Sequence, residues 1–265
     1  MKIDETDHQI AIVVPCFNEA QRLNLDYWNY ILHNNDSILW IFADDGSTDD
    51  TPGVLEKLTH NPNCLIIKNS VNLGKGETIR NAWNSIFLNG NSILGLGFLD
   101  ADGAFDKDEI ELIISKFRKI ITEDRFNVVS TSRVALSGRQ ILRHKSRHYL
   151  GRLLATYMTH DWLDSPYDTQ CGFKMFKYTP EFRNAIYKPF LSRWLFDIEL
   201  FMRLYGDSTL KVWEEPLNYW KDIDGSKMTL GRMVKTLPEI LMVRKVVRAG
   251  IFEAKLKPSF EKPFT

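Results

Sequence analysis

Two carboxylates separated by one small residue, Asp100 and Asp102 in GFLDADGAF, end an apolar run that reads as a buried strand from Ser92 to Leu99. On an extended or turning backbone, residues i and i+2 can point the same way, so both side chains can reach one divalent cation. Two hard oxygen ligands with open positions suit Mg²⁺ or Mn²⁺ carrying a substrate diphosphate. A solvated Asx-type turn with a helix cap would use the same residues. The position after a central strand of a parallel sheet favours the metal reading.

Three further clusters carry chemistry. In FADDGSTDD, Asp49, Asp50 and Thr51 precede Pro52 and read as a helix cap, which leaves Asp44 and Asp45 at the strand end to bond a base or a ribose. In NLGKGETIR, Gly74 and Gly76 flank Lys75 at a helix start, where free N–H groups favour anions. The P-loop spacing is absent there, so a glycine-rich turn with a surface lysine competes with a phosphate contact. From Arg125 to His160 there is no acid, against seven Lys or Arg, among them Arg133 and Arg147.

The elements that must position these residues alternate in kind. Apolar, β-branched runs at Ile10–Val14, Ile38–Ala43, Cys64–Lys68, Ile93–Leu99 and Asn127–Thr131 alternate with segments of helical period at Glu19–His33, Thr51–Leu58, Lys75–Leu88 and Lys107–Ile121. This order predicts an α/β fold with a parallel sheet and helices on both faces. In such sheets ligands bind outside the carboxyl ends of the strands, where all five polar turns then converge. Further on, Gln140–His160 reads as a basic helix, Gly172–Phe176 and Lys211–Glu215 as short strands, and Trp194–Tyr205 as a helix carrying FDIEL. Thr229–Phe252 has helical spacing with basic residues between. Residues 1–228 are expected to form one catalytic domain and 229–265 a basic helical tail.

The chain has 265 residues, 44% hydrophobic and 26% charged, with net charge zero, an ordinary globular composition. A neutral chain with locally basic segments is expected to handle an anion and not to bind nucleic acid. The acidic start is no secretory signal and no run reaches about 18 apolar residues. The expected location is cytoplasmic, at most peripheral on the inner face of a membrane. Three dispersed cysteines without a CxxC read as reduced, buried thiols.

Taken in order, VPCFNEA, FADDGSTDD, NLGKGE, FLDADGAF, TSR, DTQCGFKMF, WLFDIEL and WKDIDGSKM resemble the family 2 glycosyltransferases of the GT-A fold. The second half looks like the branch containing dolichyl-phosphate β-glucosyltransferases and bacterial polyprenyl-phosphate relatives. The resemblance implies a GT-A, Rossmann-like, mostly parallel sheet and an inverting transfer of a hexose, with glucose from UDP-glucose expected. Pro15, Phe17 and Glu19 would line the nucleotide-sugar pocket, with Asp44, Lys75 and Asp100 also on the donor. Asp45 would read the base, and Asp100 and Asp102 would hold the metal. Arg133, fourteen residues before Arg147, matches a pattern in which two arginines grip a lipid acceptor phosphate. Gln170 and Asp197 are also expected in the catalytic set.

A phosphate acceptor, with second pKa about 6, is already ionised near pH 7 and needs positioning more than proton removal. A sugar hydroxyl would need a base. Asp197 is the candidate for that alternative, with Glu199 expected to face elsewhere. A different class, a nucleotide-sugar-binding protein or a nucleotidyltransferase, remains as the contrast. The basic segment after Thr229 either lies on an anionic membrane or packs on the catalytic domain.

Overall fold

A computed structural model describes residues 9–87, 93–123, 125–143, 145–160, 165–206, 210–221 and 237–256. The strands are β1 (Ile10–Cys16), β2 (Ile38–Asp44), β3 (Cys64–Lys68), β4 (Gly95–Leu99), β5 (Val128–Ser132), β6 (Gln140–Leu142), β7 (Phe173–Lys177), β8 (Val212–Pro216) and β9 (Tyr219–Lys221). The helices are α1 (Leu25–Asn34), α2 (Thr51–Glu56), α3 (Lys75–Phe87), α4 (Lys107–Thr122), α5 (Lys145–Thr159), α6 (Pro180–Ala185), α7 (Phe196–Gly206) and α8 (Leu237–Leu256). Seven strands form one sheet in the order β3-β2-β1-β4-β7-β5-β8, and β6 pairs with β9 beside it.

Strands β1 and β2 are buried along nearly their whole length, as strands covered on both faces must be. The period-2 alternation divides their side chains between two cores. Ala11, Val13, Leu39 and Ile41 face a layer with α3, α6, α7 and α8, while Ile12, Val14, Trp40 and Phe42 face a layer with α1, α2 and α4. Helix α4 shows the local logic. Its cap Asp106 accepts a hydrogen bond from the Asp108 N–H, and Ile110, Ile113, Ile114 and Phe117 recur on one buried face. Each such burial stabilises the fold by roughly 1.5–3 kcal/mol. Gly95 in β4 makes room for it, since a Cβ there would lie 2.3 Å from the Phe117 ring.

The sheet is mostly parallel, with one exception that matters for the site. The strand expected at Gly172–Phe176 forms as β7, inserted antiparallel between β4 and β5. Its amino end therefore lies at the carboxyl edge of its neighbours and delivers Asp168–Gly172 to the end of β4. The chain passes from β1 outward to β2 and β3, then returns to β4 on the other side of β1. That reversal opens the crevice in which doubly wound sheets bind ligands.

Three expected helices differ. α1 begins at Leu25, not Glu19, because Asn24 caps it and residues 19–23 form a turn, with Arg22 and Leu23 N–H groups on the Glu19 carbonyl. Gln140–Leu142 is a strand, and the helix after it starts at Lys145, because the Gln140 N–H bonds the Asn218 carbonyl and the run pairs with Tyr219–Lys221. In the last segment the helix is Leu237–Leu256, and 229–236 lie outside the described residues. Its first turns pack on the sheet-and-helix core. Ile240 and Val243 are buried, Glu239 accepts from Ser192, and Arg244 donates to the Met158 carbonyl. No helix among the described residues is long and apolar enough to cross a membrane.

Candidate functional site

The crevice is built where the turns after β1, β2 and β4 meet. Asn18 holds a left-handed backbone (φ 51°), and its side-chain Oδ1 accepts from the Thr48 N–H. Its own N–H donates to the Ser47 hydroxyl, and the Glu19 N–H to the Thr51 hydroxyl. The GSTDD stretch, expected only to cap α2, thus also clasps the turn carrying Phe17 and Glu19. Asp49, not the cap residue Asp50, supplies the side-chain bond to the Thr51 N–H. Pro15 lies opposite Ala43 in the β1/β2 register, and half-buried Phe17 follows directly.

The acidic pair after β2 is buried and engaged. Asp44 accepts from the Ser47 N–H. Asp45 accepts from the N–H groups of Leu73 (2.7 Å) and Gly74 (2.8 Å) and from Asn69. Asp45, expected to read a base, therefore ties β2 to the glycine turn before α3. Gly74 adopts φ +94°, which favours glycine, and its N–H is not open to an anion. The Gly76 N–H reaches the Arg193 carbonyl, so the α3 terminus is less available than its sequence implied.

Lys75 does enter the site. Its ammonium lies 2.5 Å from Asp100 Oδ1 and over the rings of Phe98 and Phe196. Asp102 receives the Ala104 N–H and, at 3.4 Å, Arg22, which also pairs with Glu19. Burial and the Asp100 charge push the Asp102 carboxyl up, against the Ala104 and Arg22 contacts that favour its ionised form. The two side chains remain partly open, at 34% and 27% exposure. Gly172 packs against the pair so closely that a Cβ there would lie 2.2 Å from Asp100 Oδ2. No cluster of three or more metal-binding side chains of the His, Cys, Asp or Glu type occurs among the described residues.

The β7 approach adds a second, buried layer. Gln170 Nε2 donates to Asp197 Oδ1 (2.5 Å), the Ile198 N–H donates to the same oxygen, and Lys174 donates to Asp197 Oδ2 (3.2 Å). Lys174 is fully buried, bonds the Cys171 carbonyl, and lies over Phe98 on the ring that Lys75 also approaches. Burial pushes the Asp197 carboxyl up, and Lys174 and Lys75 act against that rise. Glu199, two residues on, accepts from the Leu191 N–H and Arg203 and braces the preceding loop.

Arg133 and Asp168 form a bidentate pair at 2.7 and 2.8 Å, with the guanidinium over the Trp220 ring. Burial acts to raise the Asp168 carboxyl, but Arg133 outweighs it and holds the group well below the usual carboxylate range. Arg133 was expected on an acceptor phosphate, and its charge here is matched by Asp168. Arg147 lies on α5, and its side chain falls outside the described residues. The three cysteines are buried thiols, none joined in a disulfide.

Sequence reasoning passed over Lys174, Arg22, Gly172 and the Asp168 partner. A lysine inside the apolar run FKMF was a usable signal, since a buried ammonium demands a carboxylate. Pairing of Arg133 with Asp168 had none, because the two are 35 residues apart.

The chain is similar to known proteins in sequence and in fold. The family model "Glycosyl transferase family 2" matches residues 11–181. The dolichyl-phosphate beta-glucosyltransferase of Saccharomyces cerevisiae is 31% identical, over 96% of this chain and 79% of that protein. Its namesake in Homo sapiens is 31% identical over 85% and 71%. These relatives are eukaryotic. Among solved structures, Mycobacterium tuberculosis glucosyl-3-phosphoglycerate synthase in complex with Mn²⁺, UDP and phosphoglyceric acid shares the fold at a TM-score of 0.63. That match has 17% identity and covers 89% of this chain and 78% of that one. The chain belongs to glycosyltransferase family 2 and is a glycosyltransferase with the GT-A fold.

Proposed function

We propose that the protein transfers glucose from UDP-glucose to a polyprenyl phosphate of the dolichyl type, with inversion at the anomeric carbon. The carrying observation is the state of Asp197. It is 5% exposed and both oxygens accept hydrogen bonds, from Gln170, Ile198 and Lys174. A carboxylate so engaged is poorly placed to take a proton from a sugar hydroxyl, and Asp168 is likewise committed to Arg133. An acceptor that needs no base, a phosphate monoester, suits such a site. The names of the curated relatives agree with a dolichyl-phosphate acceptor.

In this reading an oxygen of the acceptor phosphate attacks the anomeric carbon. The bond from that carbon to the UDP oxygen breaks, and its electron pair leaves with UDP. Asp100 and Asp102 fit a divalent cation: they are hard oxygen donors, partly open, and burial together with the Asp100 charge raises the Asp102 carboxyl. Mg²⁺ or Mn²⁺ held there would neutralise charge on the departing diphosphate. Lys75, at the same edge, adds positive charge beside it. Pro15, Phe17, Glu19, Asp44 and Asp45 shape the nucleotide side, with the two aspartates acting largely by fixing loops. Gln170, its amide held by Asp197, presents its remaining polar atoms to the sugar. Arg147 supplies acceptor charge that Arg133, neutralised by Asp168, contributes less of. Residues 1–228 form the catalytic unit, and the basic segment that follows packs on it through Ile240 and Val243 of α8.

Asp102→Asn tests the reading. Transfer from UDP-glucose to polyprenyl phosphate with Mn²⁺ is expected to fall by about 10²–10³-fold with the melting temperature preserved. Full activity of this variant, or of the wild type in excess EDTA, contradicts it.

A further inference from the structure

Helix α5 is apolar on two faces, one more than packing requires. Leu154, Ala155 and Met158 are buried against the fold. On the opposite side Tyr149, Leu153 and Tyr157, spaced i, i+4 and i+8, are 70%, 68% and 44% exposed. Helix α8 docks alongside through Arg244, which donates to the Met158 carbonyl and lies over the Tyr157 ring, and it exposes Met242, Lys245 and Val246.

We propose that this α5 face, with the exposed side of α8, is the surface by which the protein rests on an anionic lipid bilayer. The proposal rests on the reading that the acceptor is a membrane lipid phosphate. Charge selects the occupant. Besides Arg133, which Asp168 pairs, residues 125–160 carry six basic side chains and no acid, so the apolar stripe sits in a segment of one sign. Shallow insertion of aromatic and leucine side chains together with attraction of basic residues to anionic headgroups is the combination that holds helices in the interface plane. A second copy of this chain would bring the same positive segment against itself, which like-charge repulsion opposes.

The surface is also placed for the reaction. Arg152, one residue before Leu153, donates to the Tyr167 carbonyl and stacks on its ring at 3.7 Å. Tyr167 adjoins Asp168, the partner of Arg133. A lipid whose tail stays in the bilayer below α5 would thus offer its phosphate toward the Arg133 side of the crevice.

The test is co-sedimentation of the full chain with vesicles of phosphatidylcholine containing about one-third phosphatidylserine. The variant is Tyr149→Glu with Leu153→Glu. Both positions are exposed and outside the catalytic set, so melting should be unchanged. Wild type is expected to partition to these vesicles and the variant to lose at least about tenfold in partition. Turnover on a short, water-soluble isoprenyl phosphate should stay at the wild-type level, while turnover on vesicle-embedded polyprenyl phosphate falls in step with partition. Equal partition of variant and wild type overturns the proposal. So does a variant that keeps vesicle binding but turns a dimer into a monomer, which would make the face an interface between copies. Partition is read without turnover, so a wild type that binds vesicles yet transfers no sugar supports this surface while refuting the acceptor.

Discussion

Replacing Gly172 by alanine should damage the donor site without unfolding the protein. The added Cβ would lie 2.2 Å from Asp100 Oδ2 and 2.6 Å from its Cγ. Real Cβ contacts essentially never fall below 3.0 Å, so the carboxylate must retreat by about 0.8 Å. Backbone movement gives little relief, because the Asp100 N–H donates to the Gly172 carbonyl at 3.0 Å and Leu99 pairs with Phe173 beside it. The strain therefore falls on the Asp100 side chain and on its 2.5 Å contact with Lys75. Misplacement of a positioned group by about 1 Å costs about 10²-fold in rate, or about 2.7 kcal/mol of barrier. Gly172 is not among the glycines with positive φ, so alanine is compatible with its backbone and the fold should persist. The assay is steady-state transfer from UDP-glucose at a series of Mn²⁺ concentrations, with a thermal melt of each protein. The expected result is a fall in kcat of about 10²-fold and a weaker dependence on Mn²⁺, at near wild-type melting. Wild-type turnover and an unchanged Mn²⁺ midpoint would show that Asp100 need not stand where the structure puts it.

Two other consequences are as direct. The folded Asp168 carboxyl lies below its unfolded value of about 3.9, so the unfolded chain takes up the proton first. The pair's contribution is then fully present above about pH 4 and is lost as pH falls below that toward the folded value. Asp168→Asn should lose about 3–5 kcal/mol at pH 7 in urea melts, with the gap to wild type narrowing toward pH 3; a constant gap between those pH values argues against the sign. If Gln170 meets the sugar as proposed, Gln170→Ala should lower kcat/KM for UDP-glucose by about 10–100-fold with little change in melting, since its side chain is partly exposed. A variant with wild-type kinetics would leave Gln170 as a brace for Asp197 only.

Much of this site was legible before the structure because parallel sheets collect the ends of their strands at one edge. Asp100 and Asp102 follow a run of apolar residues, and that alone puts them beside the turns at Phe17 and Asp44. Strand direction was not legible. FKMFK has the same composition whichever way it runs, yet the antiparallel course of β7 brings Gln170 and Gly172 to Asp197 and Asp100. Roles of individual acids and bases were equally hidden, because they depend on partners distant in the chain. Asp45 reads in the sequence as a ligand group only, and the structure shows that it also holds the Leu73–Gly74 turn. Arg133 looked free for a phosphate and is paired with Asp168. Short polar elements failed for a related reason: Gln140–Leu142 is a strand only because Tyr219–Lys221 pairs with it.

The measurement that bears most directly on the central claim is product analysis with radiolabelled UDP-glucose, polyprenyl phosphate and Mn²⁺. The account predicts label in a β-linked glucosyl phosphoryl lipid, with one UDP released for each sugar transferred. An α-linked product, release of diphosphate in place of UDP, or delivery of glucose to a hydroxyl acceptor but not to the lipid phosphate would contradict it.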